Sequence, residues 1–475
     1  MPATQPRRLS TLEKALEINL DSGHYGTFAE IGAGQEVVRW FFQAGGAAGT
    51  ISKSISAYDM QVSDAIYGES DRYVSRQRLE SMLEYEQQLN RERLMASRGD
   101  EAAFFTFADT VAARNYHGTN ECHGWMGMRF QAEPNAADST VIIHVRMLDD
   151  NNAAQQEAIG IIGVNLIHSA YTLHQDPRAL LQSLTDNLSA RRVEIDMIDV
   201  AGPAFKGVDN RVLTLRLVQL ELTDAAMFAA DGRVLQPSEA LRKKPLLVQR
   251  GRFRPVTHVN MDMLQASLNK FAEVNGMPVA DVLPILEISM QNLKDDSDVC
   301  LEDFVSRAEV AAATGCTVMI SDFRQYHRLA AYLARYTNAP IGLPLGLTTL
   351  RSLFDARYYD DLDGGILEGL GRLFRQQLCL YIYPCKNDDS AVVEHIEDVQ
   401  LEGPLQHLFD YLRERGCLVP LMDVAYHHLD IHSPNVLQMI ASGDAGWTRM
   451  VPDAVAEKIV AGSLFGHRGQ AQTDS

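Results

Sequence analysis

The 475-residue chain has no window approaching about 18 uninterrupted apolar residues, so nothing in it reads as a membrane-spanning helix. Cysteine is sparse and scattered: Cys122, Cys300, Cys316, Cys379, Cys385 and Cys417 include no Cys-x-x-Cys, and the closest pair sits in "CLYIYPC". That spacing argues against a disulfide framework and predicts reduced core thiols. Positive charge is also short, with 43 Lys and Arg against 62 Asp and Glu and a formal net charge of -19. Such a chain repels phosphate backbones and anionic lipid, which argues against nucleic-acid and membrane partners. No Gly-x-x-x-x-Gly-Lys-[Ser/Thr] loop is present, since Gly45 to Thr50 lacks the lysine, and no Gly-x-Ser-x-Gly elbow occurs. The opening "MPATQPRRLSTLEKALEINL" has two arginines but no apolar core of a signal peptide, so a cytoplasmic protein is expected.

What is present is enough apolar residue for two packed domains. In the first half, "STLEKALEINL" and Arg76 to Met95 have helical spacing, and "FFTFAD", "GWMGMRFQ" and "STVIIHVRML" have strand character. A long helix is expected over Asn152 to Leu173, with Gly160 and Gly163 allowing close packing. "RVEIDMIDV", "RVLTLRLVQLEL" and "AAMFAADGRV" read as strands, the last closing at an Asp-Gly turn. From about residue 243 apolar strands alternate with amphipathic helices at about 30-residue spacing, the rhythm of a parallel sheet covered on both faces. The expected architecture is α/β: an N-terminal α+β domain over 1–242, a mostly parallel, Rossmann-like α/β domain over 243–466, and a disordered tail over 467–475.

Ligands in such sheets bind at the carboxyl ends of strands, so the strand-to-helix loops are where chemistry is sought. The first one lies in "LLVQRGRFRPVTHVNMDML", Leu246 to Leu264. Gly251 permits a tight exit, Pro255 stiffens the turn, and Thr257 is placed to cap a helix whose N-H groups would face a phosphate. Arg250, Arg252 and Arg254, with Lys243 and Lys244 upstream, concentrate positive charge locally.

"GRFRPVTHVN" resembles the first motif of the nucleotidylyltransferase superfamily, Gly-x-Phe-x-Pro-x-(His or Thr)-x-x-His, which includes nicotinamide- and nicotinate-nucleotide adenylyltransferases. Gly251, Phe253, Pro255 and Thr257 match, while the closing histidine falls on Asn260. Asparagine donates a hydrogen bond but carries no charge, and His258 lies about 200° away round a helix. The family's second motif is similar to "GLTTLR", with Thr348 and Arg351 in the matching places. As a whole, the chain also resembles a bacterial family that shares "FAEIGAGQEV", "SISAYDM" and "GGILE" and often carries the adenylyltransferase label. The resemblance implies a nucleotide-binding protein that transfers an adenylyl group from ATP, with Mg²⁺, to a small phosphorylated acceptor. In that reading Gly251, Arg252, Phe253, Arg254, Pro255 and Thr348 hold the nucleotide, and Thr257, His258, Asn260 and Arg351 act on the phosphates.

A second candidate is residues 28–59. Its "AEIGAG" resembles motif I of Rossmann methyltransferases, with Glu30, Gly32, Gly34 and a later Asp59 as the residues for adenosylmethionine. Its plain reading is a strand turning into a short helix, Gln35 to Gln43, stopped by Gly45 and Gly46. "HGTNECHGW" and "DVAYHHLDIH" contain metal-ligand types, with His428 and His432 spaced to share a helix face, but neither supplies a third ligand, so no metal is expected. Asp322 in "SDFRQYHRL" suits a ribose contact or a helix cap, and Glu368 a solvated face. The third class of function is a non-catalytic, homo-oligomeric binding or assembly protein that keeps a relic nucleotide loop.

Overall fold

A computed structural model describes residues 8–117, 120–295, 298–375, 377–386 and 392–467. Residues 468–475 of the expected tail lie outside the described residues. The chain divides into two compact units, Met1–Asp224 and Ala225–Ser475, upstream of the expected 242/243 boundary. The difference has a topological cause: the strand pair around the Asp231-Gly232 turn hydrogen-bonds into the second unit's sheet.

The first unit runs α1 (Thr11–Leu20), β1 (His24–Gly32), α2 (Val37–Ala44), β2 (Ile51–Ile55), α3 (Met60–Tyr67), α4 (Arg76–Arg98), β3 (Ala103–Ala112), β4 (Cys122–Phe130), β5 (Ser139–Met147), α5 (Asn152–Thr172), α6 (Pro177–Leu184), β6 (Val193–Ala201) and α7 (Asn210–Gln219). Its sheet has the order β2-β1-β3-β4-β5-β6, parallel among β2, β1 and β3 and antiparallel beyond. Strand alternation sends Met126, Met128, Ile143 and Val145 into the core under α5, whereas Gly127 faces Leu79 and Leu83 of α4. A helix therefore covers each face. Gly160 and Gly163 of α5 do the expected work, because a Cβ there would come within 2.7 Å of Trp40 and 2.3 Å of Val37 on α2. "RVLTLRLVQLEL", expected as a strand, is helix α7. Asp209 accepts from the Arg211 N-H at 2.8 Å, and Leu213 with Leu217 and Thr214 with Val218 bury one face at i, i+4. The alternating leucines imitated a period of two.

The second unit contains β7 (Ala225–Phe228), β8 (Val234–Leu235), α8 (Pro237–Leu241), β9 (Leu246–Arg250), α9 (His258–Asn275), β10 (Leu283–Ser289), α10 (Met290–Leu293), β11 (Lys294–Asp295), β12 (Asp298–Val299), α11 (Leu301–Ala312) and β13 (Thr317–Ser321). It continues through α12 (Tyr326–Tyr336), β14 (Ile341–Gly346), α13 (Leu347–Leu353), α14 (Gly365–Leu373), β15 (Leu378–Tyr383), β16 (Cys385–Lys386), β17 (Val393–Glu394), α15 (Pro404–Glu414), β18 (Leu418–Pro420), α16 (Ser433–Ser442) and α17 (Asp453–Gly462). The main sheet runs β18-β15-β14-β9-β10-β13-β7-β8, with β18 to β13 all parallel. Counting only the parallel strands in chain order, this is the doubly wound arrangement 3-2-1-4-5-6. Leu246, Val248, Leu343 and Leu380 face the helices α12 to α15, and Gly342 and Leu247 face Phe271 of α9. The winding reverses between β9 and β14, opening a crevice at their carboxyl ends. No helix among the described residues is long and apolar enough to cross a membrane.

Candidate functional site

The crevice of the second unit is bordered by the two loops that the motifs singled out. β9 leads into Gly251–Thr257, and its neighbour β14 leads into α13 with Thr348 and Arg351. The groups there are already engaged. The His258 N-H at the start of α9 donates to the Met450 carbonyl at 2.9 Å, and the His258 ring stacks on His428 with centroids 5.1 Å apart. Asn260 Oδ1 accepts from the Thr257 N-H at 2.9 Å and from its hydroxyl at 3.0 Å, the returning half of a capping box. Phe253 is buried with φ 47°, and a Cβ on Gly251 would meet its ring at 2.8 Å. The glycine is thus required by the loop's own aromatic residue.

The arginines diverge rather than cluster. Arg250 is buried against Glu287 of β10 in a two-pronged pair at 2.6 and 2.9 Å, and Ser321 also donates to that carboxylate. Arg254 lies 2.6 Å from Asp303 of α11, which Arg307 also holds at 2.5 Å. Arg351 pairs with Glu394 of β17, beyond β14, on the other side of β9. Arg252 is exposed, Pro255 is buried, and Thr348 is exposed at the second position of α13. Lys243 and Lys244 precede β9, so a five-residue strand, about 17 Å long, separates them from Arg252. The expected positive cluster therefore resolves into separate ion pairs and one exposed guanidinium.

In the first unit the carboxyl ends of β2, β1 and β3 surround a cavity of 620 Å³. Gly32, Ala33, Gln35 and Glu36 of the glycine loop form one wall, Tyr58 and Met60 the lip, and Thr110 and Val111 of β3 the back. β1, α2 and β2 make one βαβ unit, and the glycine turn feeds α2. Glu30 occupies the end of that helix: its two oxygens accept from the Val37 and Val38 N-H groups at 2.8 and 3.2 Å. Asp59 caps α3 through the Val62 N-H at 3.1 Å. Gly34 abuts Asp109, whose Oδ1 would lie 1.9 Å from a Cβ at that position.

Sequence reasoning named Glu30 but missed Asp109, its carboxyl partner behind this loop. Glu30 and Asp109 stand side by side on the parallel strands β1 and β3, both buried. Burial pushes the Glu30 carboxyl up to about 8 against the two helix N-H groups that oppose the rise. Burial and then the Glu30 charge raise Asp109 well above the carboxylate range, and the nearby Ile31 N-H opposes the shift without forming a well-aligned hydrogen bond. Ser63, also missed, lines the cavity with a buried hydroxyl that has no hydrogen-bond partner. Its only sequence signal was proximity to Asp59. His123 of "HGTNECHGW" has partners that sequence reasoning missed: its Nδ1 lies 3.1 Å from His144 Nε2, and His144 Nδ1 lies 2.6 Å from the buried Asp196.

The proposed helix face of His428 and His432 does not form, because His428 ends a 3-10 turn and His432 precedes α16. Among the described residues, no three His, Cys, Asp or Glu side chains are grouped to hold a metal ion. Asp322 is exposed and Gln325, not Asp322, precedes α12. Glu368 accepts from the Gly364 N-H at 2.8 Å and pairs with Arg372. All six cysteines are free, but only Cys122, Cys316 and Cys417 are the expected core thiols; Cys379 and Cys385 are half-buried, and Cys300, just before α11, is exposed.

No protein-family model and no curated protein matches the chain. Among solved structures it is similar to the competence/damage inducible protein CihA from Agrobacterium tumefaciens, at 16% identity and TM-score 0.25, over 34% of this chain and 97% of that one. A competence-damaged protein (CinA) superfamily member from Enterobacter cloacae gives 14% identity and TM-score 0.25, over 38% and 98%. The corresponding Escherichia coli protein gives 16% and 0.23, over 37% and 90%. Scores this low carry no argument about activity.

Proposed function

We propose that the chain is a small-molecule-binding protein whose principal site is the cavity at the carboxyl ends of β2, β1 and β3, and that its ligand is of the nucleoside type, without phosphate. The observation that supports this most is the coincidence of an open cavity with a glycine loop at parallel strand exits, the place where α/β sheets hold ligands. Glu30 already satisfies the α2 N-H groups, so no bare helix end faces a phosphate, and the Glu36 carboxylate in the cavity wall repels one. Tyr58 and Tyr73 offer rings, Gln35 and Gln156 amides, and Ser63 an unmet hydroxyl. A cationic nucleoside such as adenosylmethionine fits that set.

A second reading is favoured by the 3-2-1-4-5-6 strand order: ATP with Mg²⁺ at the β9/β14 crevice, with adenylyl transfer to a small phosphorylated acceptor. It requires Arg254 and Arg351 to leave Asp303 and Glu394, and α9 to release Met450. Self-assembly around a relic loop is the remaining class.

Melting the full chain with adenosine, adenosylmethionine, nicotinamide mononucleotide or ATP plus Mg²⁺ separates these readings. A ligand at about 100 times its dissociation constant adds about 2.7 kcal/mol. Stabilisation by adenosine or adenosylmethionine that Ser63→Val abolishes is expected. Stabilisation by ATP alone supports the second reading, and a silent series supports assembly.

A further inference from the structure

On the face of the second unit's sheet away from α9, the helices α12 and α14 border a separate cavity of 640 Å³. It lies at the amino ends of β14 and β15, marked by Ile341 and Leu378, and so at the opposite end of the sheet from the β9/β14 crevice. Four arginines line it, Arg328 and Arg335 from α12, Arg372 from α14 and Arg375 just after it, and no carboxylate does so among the described residues. In a chain of net charge -19 this is a marked local reversal.

His327 supplies the second observation. It lines the same cavity, is only 3% exposed, and neither ring nitrogen has a hydrogen-bond partner. A buried imidazole keeps a donor and an acceptor, and buried polar atoms almost always find partners. Tyr359 fixes the ring from one side, with centroids 6.0 Å apart. The flanking carboxylates pair with two of these four arginines, Asp361 with Arg328 at 2.8 Å and Glu368 with Arg372 at 2.6 Å. Both ion pairs are half exposed, so their guanidiniums keep donors for a further anion. The rest of the lining is small and apolar, with Ala330, Ala331 and Ala334 on α12 and Leu373 on α14.

We infer that this cavity binds a phosphomonoester of a small organic molecule, with His327 and the arginines on the phosphate and the alanine-lined floor under the organic part. Arg372 and Arg375 come from the end of α14 and the residues just after it, and Arg328 and Arg335 from α12, which suits a group that accepts hydrogen bonds on three oxygens. The volume accommodates more than a bare phosphate ion. This site is independent of the nucleoside cavity in the first unit and of the crevice above β9. Sequence reading passed over it because its charges come from two helices 40 residues apart, each arginine looking like an ordinary solvated one.

Calorimetric titration of the full chain with ribose 5-phosphate, AMP, inorganic phosphate and adenosine tests the inference. The two phosphomonoesters are expected to bind at least tenfold more tightly than inorganic phosphate, with R335A/R375A weakening them at least tenfold. The ring-proton signal of His327, assigned by its loss in H327Q, is expected to shift when ribose 5-phosphate is added to the wild-type chain. That readout remains decisive if the double variant folds poorly. An unmoved His327 signal, or phosphomonoester binding no tighter than that of inorganic phosphate, overturns the proposal. Ser63→Val leaves this binding unchanged, so its failure and that of the nucleoside reading are told apart.

Discussion

Two strand exits in this chain carry glycine loops that feed helices, and they use the helix ends differently. At "AEIGAG" the first N-H groups of α2 are taken by Glu30 from the preceding strand, deep inside the loop, and a cavity stays open beside them. At "GRFRPVTHVN" the first N-H of α9 is taken by Met450, and His428 stacks over His258. Both ends are satisfied by the chain itself, so neither offers the bare dipole that a phosphate seeks. The lesson is that a loop's glycines announce a close approach without saying what approaches. Gly34 accommodates Asp109, and Gly251 accommodates Phe253.

The strongest way to disturb the comparison is to damage the scaffold of one loop alone. Arg250→Met leaves Glu287 buried, 0% exposed, without its main partner, a change that costs about 4 kcal/mol. Chemical denaturation followed separately for the two units should show the loss in the second unit, and an unchanged transition would mean that Ser321 alone satisfies Glu287. The next effect belongs to the other loop and depends on pH. Glu30 titrates at 4.5 when unfolded and at about 8 when folded, so between those values the folded state holds more protons. Stability from this group is complete below pH 4.5 and is lost as pH rises through about 8. A fall of roughly 3 kcal/mol is expected, less than full linkage because Glu30 and Asp109 titrate as a pair. Calorimetry of the first unit should show this slope, and Glu30→Gln should flatten it. Gly34→Ala drives a methyl against Asp109 and costs about 2 kcal/mol of the same unit's stability by overpacking. If its melting temperature matches the wild type's, the contact between loop and carboxylate is looser than described.

Periodicity made most of the fold legible. The strands from Leu246 to Tyr383 and the helices between them follow from apolar runs alternating with amphipathic ones, and the Asp-Gly turn was plain. Helix α7 was not, because its leucines alternate in sequence while its cap at Asp209 decides the outcome. The placement of "AEIGAG" between a strand and a short helix was legible from glycine alone. What filled that loop was not: Asp109 lies 79 residues from Glu30, and only parallel pairing of β1 with β3 brings them together. Charge was the least transferable signal. Arg250, Arg252 and Arg254 form one cluster in sequence, but only Arg250 lies in the strand, where it pairs with Glu287, while the loop that follows brings Arg254 to Asp303 and leaves Arg252 exposed.

The smallest effect bears on the departure that set the adenylyl motif apart. Asn260 stands where the family's histidine would be, and its Oδ1 accepts from both the N-H and the hydroxyl of Thr257. An amide oxygen accepts two such bonds at once, whereas a neutral imidazole offers one acceptor nitrogen with a different reach. The asparagine is therefore explained by the start of α9 without reference to phosphate chemistry. Asn260→His removes this cap and should cost about 1 kcal/mol in the second unit, measured by urea denaturation. It should also fail to produce pyrophosphate from ATP and nicotinamide mononucleotide, because Met450, Asp303 and Glu394 continue to hold the groups that the reaction needs. Pyrophosphate release by Asn260→His would reverse the comparison, making the α9 loop the working site and the capping bond a latch.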